Sequence, residues 1–326
     1  MSANTHQDRD PAAPHGGDLA GGTGRPAAEA THAQLSHEQE RSLLYGLLDD
    51  ASMFPPGNLP MPKAVSEHLR HETAWFSDLT GAFICPETRI AELGAALTSA
   101  NAAWIDLSVV VTNGADAVPA AADAVAADPR MRLRAFEVPA DKDTDPAAAV
   151  LAVATALDSV PLASAMAYIE VPLTALAADD QADRLLAIID GRGYRPKLRT
   201  GGVTAEAFPD ETALAAALVA VAGRRIPFKC TAGLHHAVRH ADPATGFEHH
   251  GFLNVLLGTR AAADGAAADE VAAILGRRDP ALVAAAVREL SPDAAADIRW
   301  LFTSFGTCST DEPVADLVGL GLMSQH

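Results

Sequence analysis

Lysine is scarce in this chain. Only Lys63, Lys142, Lys197 and Lys229 occur among 24 basic residues, so arginine carries the positive charge that keeps the surface soluble. Two of the four fall inside short apolar runs of the kind that form buried parallel strands, where an ammonium group is costly unless it is paired or has chemistry to do. Cysteine is scarcer still. Cys85, Cys230 and Cys308 are too few and too far apart for a disulfide framework or a CxxC metal site, which leaves them as reduced, buried small hydrophobes. Basic charge is short overall, with a formal net charge of −18, and this excludes nucleic acid and anionic membrane as partners. A small anionic substrate needs only a local cationic site and stays compatible. No apolar run approaches the roughly 20 residues of a membrane span, and the start of the chain lacks the basic and apolar regions of a signal peptide. A cytoplasmic location is expected.

Residues 1–36 are Ala, Gly, Pro, His and Asp with almost no large apolar side chain, a composition that cannot offset the entropy of ordering. They are expected to form a disordered tail ahead of a domain over residues 37–326. That domain alternates strand-like and helix-like segments. Strands are predicted at Leu43–Leu48, Ala82–Cys85, Trp104–Val111, Arg132–Val138, Ala165–Val171, Pro196–Arg199, Pro227–Thr231 and Ile298–Phe305. The intervening helices include Pro62–Phe76, Ile90–Leu97, Pro146–Leu157, Asp180–Asp190 and Asp210–Ala222. This rhythm predicts an α/β fold of the (β/α)₈ TIM-barrel type, with residues 235–295 forming a helical, histidine-rich insertion or lid between strands seven and eight.

Active sites of such barrels lie at the C-terminal ends of the strands. That rule gathers Asp49, Asp50, Glu137, Glu170, Lys197, Arg199, Lys229, His235, Ser304 and Cys308 around one mouth. Alternation puts Lys197 and Arg199 on one face of strand six, and Lys229 and Thr231 on one face of strand seven. Adjacent strands lie about 4.8 Å apart, so the two lysines are expected side by side. Two neighbouring ammonium groups disfavour each other's charge, and a neutral amine is the nucleophile that attacks carbonyls. The competing structural reading makes each lysine the partner of a barrel carboxylate.

Glu170 is the candidate proton shuttle, Asp106 is a deeper alternative, and Glu137 and Asp50 are candidates to contact substrate. Arg199 offers a planar fork for a carboxylate or phosphate. The Gly306-Thr307-Cys308-Ser309 turn before an acidic helix start has the form of an anion cradle, although Ser309 or Thr310 serves equally as a plain helix cap. Five histidines crowd the stretch after strand seven. His235, His236 and His240, with Asp49 opposite, form a candidate set for a divalent metal, and a lid over substrate is the other reading.

Three segments carry a family resemblance. KLRTGG from Lys197, FKCTAGL from Phe228 and FGTCST from Phe305 are similar, in order and placement, to the lysine strands and phosphate-binding Gly-Thr-Ser-Ser turn of deoxyribose-phosphate aldolases and related class I aldolases. The resemblance implies a Schiff base at Lys197, tuning by Lys229, and phosphate binding at Gly306–Ser309. Arg199 departs from that pattern, where the family has a small residue, and so does the cysteine in the last turn.

The leading expectation is an enzyme acting on a small anionic carbonyl compound by aldolase- or lyase-type carbon–carbon chemistry through a lysine, with no cofactor required. Alternatives are a metal-dependent lyase, isomerase or hydrolase using the histidine loop, and a non-catalytic ligand-binding barrel. Assembly into a homo-oligomer is left open by the sequence.

Overall fold

A computed structural model of the chain describes residues 34–325, so the expected tail lies almost wholly outside the described residues. Eight parallel strands close into a barrel in the order β1-β10-β7-β6-β5-β4-β3-β2. They are β1 (Leu48–Asp50), β2 (Thr80–Pro86), β3 (Ile105–Val110), β4 (Met131–Pro139), β5 (Met166–Glu170), β6 (Arg195–Arg199), β7 (Phe228–Thr231) and β10 (Phe302–Thr307). Between β7 and β10 runs a two-stranded antiparallel hairpin, β8 (His240–Ala241) and β9 (Glu248–His249). It is followed by helices over Phe252–Ala263, Ala268–Leu275, Pro280–Arg288 and Pro292–Leu301. The TIM-barrel architecture expected from the sequence is therefore present. No helix among the described residues is long and apolar enough to cross a membrane.

Two strands begin later than the sequence suggests. The first predicted strand is instead a helix, His37–Leu44, followed by β1. Ser36 caps that helix in a box with Gln39, and Leu43 and Leu44 lie on its buried side, so local capping overrides the strand-like apolar pair. The eighth strand starts at Phe302 because Ser291 accepts from the Ala294 amide and Pro292 opens a helix whose Ala295, Ile298 and Leu301 face the core.

The strands place apolar side chains outward against the helices. Phe83, Leu107, Val109, Phe136, Ile169, Leu198, Phe228 and Phe305 are all fully buried there. Inward positions, which in most barrels of this type are filled by branched aliphatics, hold Asp49, Ser108, Glu137, Tyr168, Lys197, Lys229 and Ser304. The cylinder is packed with charge rather than hydrocarbon. Such an interior is stable only if its groups satisfy one another.

Candidate functional site

Register brings the two lysines side by side. Lys197 pairs directly with Lys229 across β6 and β7, and Glu170 of β5 pairs with Lys197. Between the ammonium groups sits Glu137 of β4, wholly inaccessible to solvent. Its Oε2 accepts from Lys197 Nζ at 2.9 Å and its Oε1 from Lys229 Nζ at 2.6 Å. Ser108 of β3 donates to Oε1 at 2.6 Å. Burial alone would raise the Glu137 carboxyl, but the two lysine charges and their hydrogen bonds outweigh it and hold the group far below the usual range.

Lys229 also donates to Asp49 Oδ2 at 2.7 Å. Ser304 donates to the same oxygen at 2.6 Å, and the Ala82 amide donates to Oδ1 at 2.8 Å. Burial disfavours the ammonium, yet the charges of Asp49 and Glu137 prevail and raise Lys229 well above the ordinary lysine value. Lys229 is thus a fixed cation, and the expected mutual repulsion of neighbouring amines is replaced by a carboxylate bridge.

Lys197 has a second partner in Glu170, whose Oε2 lies 2.9 Å from Nζ. Glu170 Oε1 accepts from Arg199 Nε at 2.7 Å. Burial would raise Glu170, but Lys197 and Arg199 outweigh it and keep the carboxyl low. From Ser304 to Arg199 the polar groups form one continuous column through the barrel.

That column meets a cavity at each end. At the C-terminal ends of the strands lies a space of about 570 Å³ lined by Lys197, Arg199, Thr231, Gly306 and Cys308. Its walls include Phe54, Phe208, Phe247, His235, His236, His240 and His249. An adjoining space of about 1060 Å³ over the loops after β3, β4 and β5 shares Arg199 and reaches Glu170 and Lys142. At the opposite end a cavity of about 600 Å³ is lined by Asp49, Ser108, Tyr168, Lys229 and Ser304. Asp49, Lys229 and Ser304 therefore face the N-terminal cavity, not the mouth to which the strand-end rule assigned them.

Backbone fit shapes the mouth. A Cβ on Gly201 would stand 2.7 Å from the Gly233 Cα, and Gly233 itself has φ of +76°, so the loops after β6 and β7 touch only because both positions are glycine. The histidine hairpin is anchored as a wall. Asp242 closes its turn by accepting from the Thr245 amide at 2.7 Å, and the buried Arg239 pairs with Glu211 at 2.8 Å. His250 is fully buried, its Nδ1 facing Arg239 at 3.1 Å and its Nε2 donating to the Pro209 carbonyl at 2.8 Å. Burial and the adjacent guanidinium lower it to about 4.

Several sequence candidates fall elsewhere. Asp50 points out of the barrel and accepts from His68 Nδ1 at 3.1 Å and the Ser52 amide at 2.9 Å. Burial would raise it, but these partners hold it low. Asp106 forms ion pairs with Arg132 and Arg134, both at 2.9 Å, near the start of β3. In the Gly306–Ser309 turn, Thr307 Oγ1 donates to the Ser309 carbonyl at 2.9 Å and Ser309 Oγ accepts from the Glu312 amide at 3.3 Å. Those hydroxyls serve the chain, and only Gly306 and Cys308 of the turn line the cavity. Asp49 lies inside the barrel, so the candidate metal set of His235, His236, His240 and Asp49 does not converge. His236 Nδ1 faces Asp316 at 3.1 Å and His240 Nδ1 faces the Val238 carbonyl at 3.1 Å. Among the described residues no three His, Cys, Asp or Glu side chains are arranged to hold a metal ion.

Sequence reasoning missed Ser108. Its parity with Val110 on β3 is the signal that would have placed it inward. It also missed the partnership of Cys308 with His235, which are 73 residues apart. No protein-family model matches this chain, and neither does any curated protein.

Proposed function

We propose that the barrel acts on a small anionic carbonyl compound through Lys197, by aldolase- or lyase-type chemistry at a carbon–carbon bond. One observation carries this reading: Lys197 alone among the lysines belongs both to the buried charge network and to the lining of the mouth. For its amine to attack, a proton must leave Nζ, and Glu170 at 2.9 Å is placed to receive it. The amine then forms a C=N bond while the carbonyl oxygen departs as water, and Glu170 returns the proton to that oxygen. Arg199 anchors the anionic group, and Lys229 holds Glu137 ionised beneath the reacting amine. The resemblance of KLRTGG and FKCTAGL to class I aldolases supports the same assignment.

Borohydride reduction in the presence of small aldehydes and keto acids, followed by mass spectrometry of the peptides, tests it. The expected result is a reduced adduct on Lys197 and none on Lys229. No adduct on Lys197 with any of the compounds overturns the amine mechanism. A second reading rests on the balance of formal charge, since Lys197, Lys229 and Arg199 stand against Asp49, Glu137 and Glu170. In that reading the network is structural and the mouth binds a ligand without turnover, which native mass spectrometry and product analysis separate from catalysis.

A further inference from the structure

Lys197 and Arg199 share one carboxylate. Glu170 takes Nζ of the first at 2.9 Å on Oε2 and Nε of the second at 2.7 Å on Oε1. Amine and guanidinium are therefore as near to each other as two partners of a single carboxyl group, and a molecule that meets both has its carbonyl carbon next to its anionic group. Arg199 also gives Nη1 to the Gly201 carbonyl at 3.5 Å, which leaves Nη2 without a partner among the described residues. Aromatic rings begin just past that pair. A Cβ on Gly201 would stand 2.8 Å from Phe208 Cε1. The rings of Phe208 and His249 are 4.4 Å apart, Phe247 is 5.6 Å from Phe208, and His240 is 5.2 Å from His249. All four line the cavity of about 570 Å³ that Lys197 and Arg199 also line, a size in the range of about 300–1000 Å³ that encloses whole ligand molecules. Burial, with His240 and His235 nearby, lowers His249, so its ring is uncharged at neutral pH and presents a π face. The Gly306–Ser309 turn, by contrast, is unsuited to phosphate. Thr307 and Ser309 use their hydroxyls within the chain, and Glu312 brings a carboxylate to the same cavity.

We propose that the mouth selects α-keto acids that carry an aryl side chain, with Arg199 holding the carboxylate, Lys197 facing the adjacent carbonyl, and Phe208, Phe247 and His249 stacking against the aryl ring. This rests on the reading of Lys197 as the group that meets a carbonyl. It sets a carboxylate at Arg199 in place of the phosphate that the aldolase resemblance implies, and it gives the aromatic wall a role in choosing among anionic carbonyl compounds.

Titration calorimetry on the full chain with phenylpyruvate, pyruvate and glycolaldehyde phosphate tests the class. Phenylpyruvate is expected to bind at least about tenfold tighter than pyruvate, the effect of one buried, stacked ring, and tighter than glycolaldehyde phosphate. Phe247→Ala, and Phe208→Leu, which keeps apolar bulk against Gly201, should each weaken phenylpyruvate several-fold and leave pyruvate within about twofold. Arg199→Met should weaken both keto acids at least about tenfold. Phenylpropionate, which has no carbonyl to react, should keep the same preference over propionate. No binding of phenylpyruvate, equal affinity for the two keto acids, tighter binding of the phosphate, or a loss in the phenylalanine variants shared equally by pyruvate would each overturn the proposal. A preference for phenylpropionate without a borohydride-trapped adduct on Lys197 removes the amine reading alone. An adduct formed equally from pyruvate and phenylpyruvate, with no difference in affinity, removes the substrate class alone.

Discussion

The two ends of the barrel use the same residue types to opposite effect. Lys197 and Lys229 are register neighbours, equally buried, and both bound to Glu137. Lys229 faces small polar groups at the N-terminal end, and its second partner, Asp49, accepts only from within the network and from a backbone amide. Lys197 faces a cavity of about 570 Å³ walled by aromatic and histidine side chains, and its second partner, Glu170, is shared with the half-exposed Arg199. The lesson is that burial alone does not distinguish a structural lysine from a reactive one. What differs is whether the partner carboxylate has another cation to hold when the first gives up its proton.

The most severe way to break this arrangement is Glu137→Ala, which removes the bridge and leaves two buried ammonium groups with fewer anions. Breaking a buried pair costs about 3–5 kcal/mol, so losing both is expected to cost about 5 kcal/mol or more, read from urea midpoints. Lys229→Met should cost about 3–5 kcal/mol because Asp49 is left buried beside Ser304 and one amide. Lys197→Met should cost less than about 2 kcal/mol, since Glu137 keeps Lys229 and Glu170 keeps Arg199. Equal losses in these two variants would erase the distinction drawn between the lysines.

The wall of the mouth also carries a histidine whose titration is linked to stability. His250 binds its proton less readily folded than unfolded, so stability is full above about 6.5 and falls as pH drops towards about 4. The drop corresponds to about 3 kcal/mol, and His250→Gln should flatten that part of the curve relative to wild type. At the N-terminal rim, Asp106→Asn should change stability by less than about 1 kcal/mol, because Arg132 and Arg134 are largely exposed. It should leave any adduct on Lys197 untouched.

Legibility in the sequence followed the range of the interaction. Strands β3 to β7 were readable because each is a short apolar run stopped by proline or glycine, and alternation along β6 and β7 correctly aimed Lys197 and Lys229 inward. The first strand was not, because a capping box at Ser36 turned an apolar pair into a helix, and the one strand residue that mattered moved with it. Asp49 and Asp50 look interchangeable in sequence, yet one step of the pleat sends the first to Lys229 and the second to His68. Pairings such as Asp49 with Lys229 or His235 with Cys308 join distant parts of the chain, and only closure of the cylinder decides them.

The neutrality of the inner column has a consequence for anything that enters it. An arriving anion beside Arg199 upsets the even count of opposite charges in the column that Arg199 closes. Taking up a hydrogen ion from the medium restores that count, so association should grow tighter under acid conditions. Calorimetry in buffers of unequal ionisation heat would then register a nonzero number of hydrogen ions absorbed per molecule bound.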